Sequence, residues 1–477
     1  MGSKHTTIVW YRNDLRTDDH APLVYASRRG NVVPVYILEE DDTSINPIGG
    51  ASRWWLNRSL KSLSATLENL GSPLVIRSGS PEKVLWDLCS QYNADQISMH
   101  DSIEPHAIES DDQLDHVLDC AGIELVRFAT NLLWSVGSIL NNSAKPYQVF
   151  THFWKRGSGF TAVELPIAAP IEICPPKLNP DQIPLENIKL PTDPDWAVGL
   201  NERWTPGEPN ANESLNHFLL NQVGRYHEDR DLLAHPGWSA LSAPLHYGEI
   251  SVRRIWHTLT EKSNLEQSSG TSSFLRQLGW RDFAAHLLNH FPHTVDNPLR
   301  EQFEQFPWRE NPDHLEKWKR GMTGYPVVDA AMRNLWREGW MPNRARMIVA
   351  SFLCKDLLIS WTEGATWFWE TLVDADLANN TMGWQWVAGC GADASPFFRI
   401  FNPMSQGKKF DPQGEYVRRW VPELAQLSNK DIHSPWLASR DSLSNAGVVL
   451  GKNYPHPIVD HALARVEALE AYSSIKK

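Results

Sequence analysis

Short apolar runs and longer amphipathic stretches alternate through the first part of the chain. Residues 7–11 (TIVWY), 32–38 (VVPVYIL), 73–78 and 96–100 have strand length and the near-continuous apolar character of strands buried on both faces of a parallel sheet. Between them, residues 53–70 and 82–92 repeat apolar positions with helical period, as at Trp55, Leu56, Leu60, Leu63 and Leu67, which puts those side chains on one face. Strands alternating with such helices predict an α/β, doubly wound parallel-sheet domain over residues 1–135. No GxGxxG follows the first strand, so a ligand of this domain is not held by the usual dinucleotide turn.

The pattern fades from 167 to 211, where proline and acid replace periodicity (CPPKLNPDQIPLENIKLPTDPDW, then TPGEPNANES), and residues 136–211 read as an irregular interdomain connection. Helical period then dominates residues 212–477, over 215–223, 251–261, 274–291, 327–337, 343–359, 367–372 and 458–472. A larger all-α domain is expected there.

Length supports this division, since 477 residues exceed what a single hydrophobic core usually serves. Hydrophobic content of 42% and charged content of 21% are those of a globular protein, and no apolar run approaches the roughly 18 residues of a membrane span. The opening MGSKHTTIVWYR has no apolar h-region, so a cytoplasmic protein is expected. Cys89, Cys120, Cys174, Cys354 and Cys390 form no CxxC pair, and neither a disulfide framework nor a metal site is expected. A net charge of −12 argues against non-specific coating of nucleic acid but leaves a local basic patch open. Tryptophan stands out: twelve of 22 lie from Trp280 onward.

Candidate chemistry gathers among those tryptophans. In MPNRARMIVASF, Asn343, Arg346 and Met347 fall at i, i+3 and i+4, so one helix face carries an amide, a guanidinium and a thioether. A surface helix end with a buried methionine would look the same, and the spacing leaves both readings open. Downstream, DADLANN supplies Asp374, Asp376 and Asn380 beside Trp384 and Trp386 of GWQW. Acids and an arginine among indoles suggest a buried polar site, because charges in apolar surroundings must be paired.

These segments, with WRDF (280–283), TGYPVVDAAMR (323–333), FRIFNPMSQGKKFD (398–411) and the N-terminal WYRNDLRTDDHAPL (10–23), resemble the photolyase/cryptochrome family in order and spacing over nearly the whole chain. The resemblance implies FAD in the helical domain. Tyr226 and WSALS (Trp238, Ser239, Ala240, Leu241, Ser242) match positions that hold its phosphates and ribityl chain, with Trp238 standing where threonine is usual. Arg281, Asn343, Arg346, Asp374, Ala375, Asp376 and Asn380 match positions around its rings, Arg346 and Asp374 as an ion pair and Asn380 as the photolyase-like residue facing flavin N5.

Trp384, Trp361 and Trp308 match the family's electron-transfer tryptophans. Gln277, Trp280, Asn343, Arg344, Met347, Trp386 and Gln406 match the DNA lesion site, with the two indoles as aromatic walls. The histidines of (6-4) photolyases are absent at 343 and 347, which implies a cyclobutane pyrimidine dimer photolyase; Asn380, Arg346, Asp374 and Gln277 are the expected catalytic residues. Two departures are Gln277, where such enzymes often carry glutamate, and Pro342, where histidine is common. The tail (GKNYPHPIVDH) is similar to the class III subgroup.

A second, antenna chromophore is also implied, methenyltetrahydrofolate in preference to a deazaflavin, with Glu104 and Glu109 of HDSIEPHAIESDD as its candidate contacts. The expected partner is UV-damaged DNA, bound by a monomer. The competing readings are a cryptochrome blue-light receptor and a (6-4) photolyase.

Overall fold

A computed structural model describes residues 5–39, 47–176, 196–235, 237–261, 268–394 and 398–476. Each expected strand is present: β1 (His5–Tyr11), β2 (Gly30–Leu38), β3 (Val75–Ser78) and β4 (Gln96–His100). A fifth, β5 (Glu124–Phe128), follows the helix α4 (Pro105–Cys120) in a region the apolar pattern left without elements. Both escaped notice for a physical reason: α4 buries only Asp111, Leu114 and Leu118, and β5 is an edge strand with little buried surface. All pairings are parallel, in the order β3-β2-β1-β4-β5.

The helices α1 (Ala21–Ser27), α2 (Gly50–Leu70) and α3 (Pro81–Tyr92) complete the doubly wound arrangement. Ile8, Trp10, Val33, Val35, Ile97 and Met99 form the centre of its core, packed by Leu85 and Leu88 from α3 and Leu114 from α4. At the strand order's switch point, between the C-terminal ends of β1 and β4, lies a buried network. Asp14 Oδ2 accepts from His20 Nε2 at 3.0 Å and His100 Nδ1 at 2.7 Å, while His20 Nδ1 accepts the Leu23 N–H at 3.1 Å. Burial pushes His100 down to about 4, so its imidazole is neutral at pH 7 and presents an N–H, not a lone pair, to the carboxylate.

The chain forms two compact units, one of Met1–Pro194, Trp204–Gly224 and Ser239–His290, the other of Asp195–Arg203, Arg225–Trp238 and Phe291–Lys477. In the first, residues 136–211 are less irregular than expected, since α5 (Phe150–Phe160) lies within them; residues 177–195 of the proline-rich stretch lie outside those described. The helices α6 (Glu208–Asn221), α7 (Val252–Glu261) and α8 (Ser269–His290) also belong to this unit.

The second unit contains α9 (Pro326–Glu338), α10 (Asn343–Ser351), α11 (Trp361–Thr371), α12 (Leu377–Ala388), α13 (Pro403–Phe410) and α14 (His461–Ser474). The helix expected over 343–359 stops early: Phe352–Asp356 is a single π turn, followed by Leu358 in the left-handed region at φ 54°. Helix α11 starts at Trp361 and not at 367, because Ser360 Oγ caps it by accepting the Thr362 N–H. Val328, Met332, Ile348, Val349, Leu353 and Trp384 lie at the centre of this unit's core. Among the described residues no helix is long and apolar enough to cross a membrane.

Candidate active site

In the first unit the site residues sit on α8. Gln277, Trp280 and Arg281 lie at i, i+3 and i+4 and so share a face. Gly279 lets this helix approach α5, for a β-carbon there would fall 2.3 Å from Trp154. As a result Trp280 stacks on Phe150 with ring centroids 3.8 Å apart and planes 10° from parallel. Arg281 turns inward, donating to the carbonyls of Asn131 at 2.5 Å and Leu245 at 3.2 Å. Gln277 Nε2 donates to Ser273 O at 3.2 Å, within its own helix.

Beside Arg281, Asp282 accepts the N–H groups of Leu133 and Trp134 at 2.8 and 3.1 Å. Burial pushes its carboxyl up to about 7 despite the neighbouring guanidinium. In Ser239, Ala240, Leu241 and Ser242, Ala240 takes a left-handed φ of 56°, and Ser239 Oγ accepts the Leu241 N–H at 3.3 Å. An alanine there is under strain that glycine would avoid. Glu104 is half-buried at the N-cap of α4, 3.5 Å from His106, and Glu109 is exposed.

In the second unit the site is organised around α10. Arg346 Nη2 lies 3.0 and 2.8 Å from the two carboxylate oxygens of buried Asp374, and Arg346 Nε donates to Met341 O at 3.1 Å. One turn before, exposed Asn343 reaches Met347 Sδ at 3.8 Å, and Arg344 pairs with Asp231 at 2.8 Å. Asp376 is occupied locally, capping α12 by accepting the Asn379 N–H at 2.9 Å, and Asn380 Nδ2 donates to Ala365 O at 3.0 Å. Ala375, between the two aspartates, is buried. Tyr226 is buried, with the Arg230 guanidinium 5.6 Å from its ring, and Trp238 lies 5.0 Å from Trp340. Half-buried Trp386 donates to Asp393 O at 3.1 Å, and Gln406 is on α13.

Of the expected electron-transfer residues, Trp384 fits against Gly364 of α11, where a β-carbon would lie 2.1 Å from the indole. Its ring neighbours are Phe368 at 4.9 Å and Trp318 at 6.2 Å. Trp361 is buried at the start of α11, and Trp308 packs on Phe306 at 4.3 Å.

Several buried polar atoms here lack a partner: the indole N–H groups of Trp238 and Trp384, Arg344 Nε and the side-chain carbonyl of Gln406. Buried polar groups without partners are costly in a protein alone, and the three donors among these fit a ligand rich in acceptor atoms such as FAD. Phe150, Asp231, Trp318 and Trp340 were not singled out from sequence. An aromatic or acid whose partner is fifty or more residues away leaves no periodic signal, and none would have revealed them.

A family model described as DNA photolyase matches residues 7–170, and one described as the FAD binding domain of DNA photolyase matches 274–474. The chain is 47% identical over 472 residues to the deoxyribodipyrimidine photo-lyase of Agrobacterium fabrum, covering 98% of each protein. It is 36% identical over 485 residues to cryptochrome-1 of Arabidopsis thaliana, covering 98% of this chain and 70% of that one. The crystal structure of a bacterial class III photolyase from Agrobacterium tumefaciens matches with a TM-score of 0.96 at 46% identity, over 100% of this chain and 98% of the other.

Proposed function

The chain belongs to the DNA photolyase family and carries its FAD-binding domain, and we propose that it is a deoxyribodipyrimidine photolyase of the class III kind, acting on cyclobutane pyrimidine dimers in UV-damaged DNA. The observation that carries this reading is the face of α10, where Arg346, clamped to Asp374, lies one turn from Asn343 and next to Met347. One short helix thus supplies both a cationic edge for a flavin and two uncharged groups for a lesion. Bound FAD, when reduced and excited by light, supplies an electron to the dimer and recovers it after the two carbon-carbon bonds between the pyrimidines have broken.

The residues do the rest. Trp280 and Trp386 replace the stacking that a flipped-out dinucleotide loses and keep water from its faces. Arg346, held in place by Asp374, would turn its guanidinium toward the flavin, with Asn380, Asp376 and Ala375 as further contacts. Tyr226 and Trp238 to Ser242 receive the phosphates and ribityl chain, and Arg281 fixes the loop at Asn131. Gln277 can donate a hydrogen bond to a pyrimidine carbonyl but brings no proton, which suits a cleavage that needs none. Asn343, Arg344, Met347 and Gln406 complete the DNA contact. Trp384, Trp361 and Trp308 deliver electrons to oxidised flavin.

Residues 1–135 form the antenna part, joined through 136–211 to an FAD and lesion part over 212–477. The antenna is methenyltetrahydrofolate, held near Glu104 and Glu109, and the protein works as a cytoplasmic monomer. The purified, fully reduced protein is expected to restore thymines from a thymine dimer in an oligonucleotide under blue or near-ultraviolet light. Intact dimers after illumination, with the flavin still changing redox state, would favour the receptor reading instead.

A further inference from the structure

The π turn Phe352–Asp356 ends in two consecutive charged residues that are both buried. Asp356 is accounted for by His461, whose Nδ1 lies 2.5 Å from Asp356 Oδ1, so this residue ties the turn to the start of α14. Lys355, only 3% exposed, has no carboxylate salt-bridge partner among the described residues and goes elsewhere. Its ammonium donates to the carbonyl of Arg399 and stands 4.3 Å from the centre of the Phe398 ring. One turn before it, Ser351 Oγ accepts the Phe401 N–H at 3.1 Å.

The segment 398–401 is thus held at three of its four residues by side chains of α10 and the π turn. It leads directly into Asn402, which caps α13 by accepting the Ser405 N–H at 2.9 Å, and α13 carries Gln406. Ser351, Lys355, Phe398, Arg399 and Phe401 also line a cavity of about 20 Å³ whose remaining wall includes Trp386, space enough for about one water molecule. A buried cation therefore lies behind one aromatic wall of the lesion site and anchors the strand of chain that leads to a DNA-contacting helix.

We propose that Lys355 is a positioning residue for the lesion, whose buried ammonium holds segment 398–401 and thereby sets both Trp386 and the helix carrying Gln406. The inference rests on the photolyase reading and deepens it. Loss of the proton would leave an amine that can still donate a hydrogen bond but has neither the charge assistance at the Arg399 carbonyl nor the attraction to the Phe398 ring. Burial pushes Lys355 down to about 8. Cys354, Cys390 and Asp356 oppose that shift, and the Arg399 guanidinium adds to it. The anchor is accordingly charged at pH 7 and discharges as pH rises through about 8.

Equilibrium binding of the FAD-loaded protein to an oligonucleotide with one thymine dimer, and to its undamaged counterpart, tests this between pH 6.5 and 9. Dimer affinity of the unmodified protein is expected to hold to neutral pH and to fall about tenfold by pH 9, a loss of about 1.4 kcal/mol. Lys355→Arg, which stays charged throughout, should keep the affinity and lose the alkaline fall. Lys355→Met should bind about tenfold more weakly at pH 7 with no further fall, while flavin absorbance is retained. A flat profile for the unmodified protein, or the same fall in Lys355→Arg, overturns the proposal; should Lys355→Met not fold, that comparison alone decides. If the unmodified protein shows no preference for dimer DNA at any pH, the photolyase reading fails first and this inference goes with it.

Discussion

Trp280 lies flat against Phe150, with ring centroids 3.8 Å apart and an interplanar angle of 10°, although the two residues are separated by 130 positions in the chain. As the proposed wall for a flipped-out dinucleotide, Trp280 has to be rigid, since an indole free to rotate must be ordered when the lesion binds. The stack with Phe150, itself edge-on to Phe283, orders it beforehand.

Phe150→Leu keeps an apolar side chain of similar bulk but removes the stack. Aromatic pairs are worth about 0.5–1.5 kcal/mol beyond their buried area, so dimer affinity is expected to fall about two- to twelvefold. Fluorescence anisotropy with a dimer-bearing oligonucleotide would measure it, and unchanged affinity would show that Trp280 is held by other contacts.

Asp374→Asn should remove the partner of Arg346 while preserving shape. Breaking a buried pair costs about 3–5 kcal/mol, and the lower end applies because the Arg346 side chain keeps 23% of its surface accessible. The expected outcome is a lower melting temperature and protein that purifies largely without flavin, read from the visible absorbance of the purified protein. Full flavin occupancy would remove the pair from the proposed flavin contacts.

Gly364→Ala would place a β-carbon 2.1 Å from the Trp384 indole, which must then move. Overpacking of this kind costs about 1–3 kcal/mol. Photoreduction of oxidised flavin should slow, as it should in Trp384→Phe, while both variants still repair dimers when their flavin is reduced chemically. Photoreduction at the unmodified rate in Trp384→Phe would discredit that residue as the relay next to the flavin.

Asp282 gives a pH dependence with a definite sign. Its folded carboxyl titrates at about 7, far above an unfolded aspartate, so between roughly pH 4 and 7 the folded state holds a proton that the unfolded state has lost. Its contribution to stability is therefore full at low pH and declines as pH rises across that window, by up to about 1.4 kcal/mol per pH unit. Asp282→Asn can still accept the Leu133 and Trp134 N–H groups and carries no charge. Thermal melts of the two proteins from pH 4 to 8 should show the variant gaining on the unmodified protein as pH rises, and a constant difference would contradict the assignment.

Periodicity alone determined the parallel strands and the helical character of the C-terminal half, because strand and helix each impose a local repeat on which side chains are buried. The shared face of Asn343, Arg346 and Met347 was legible for a similar reason, since residues three or four apart on one helix are neighbours whatever the rest of the chain does, while the roles of Asp374 and Trp384 came only from the family resemblance. Elements with little apolar burial, α4 and β5, left no pattern to read. The break at Phe352–Asp356 was hidden because the apolar positions on either side of Lys355 and Asp356 suit an uninterrupted α-helix equally well.

Only the tertiary structure decided which distant groups meet. Nothing near Trp280 in sequence announces Phe150, nothing near Arg344 announces Asp231, and a lysine within FLCKD looks like an ordinary solvated charge until Arg399 and Phe398 close over it. Burial and long-range pairing are properties of the packed chain. They set the charge on Asp282 and Lys355, and with it the conditions under which the site is held together.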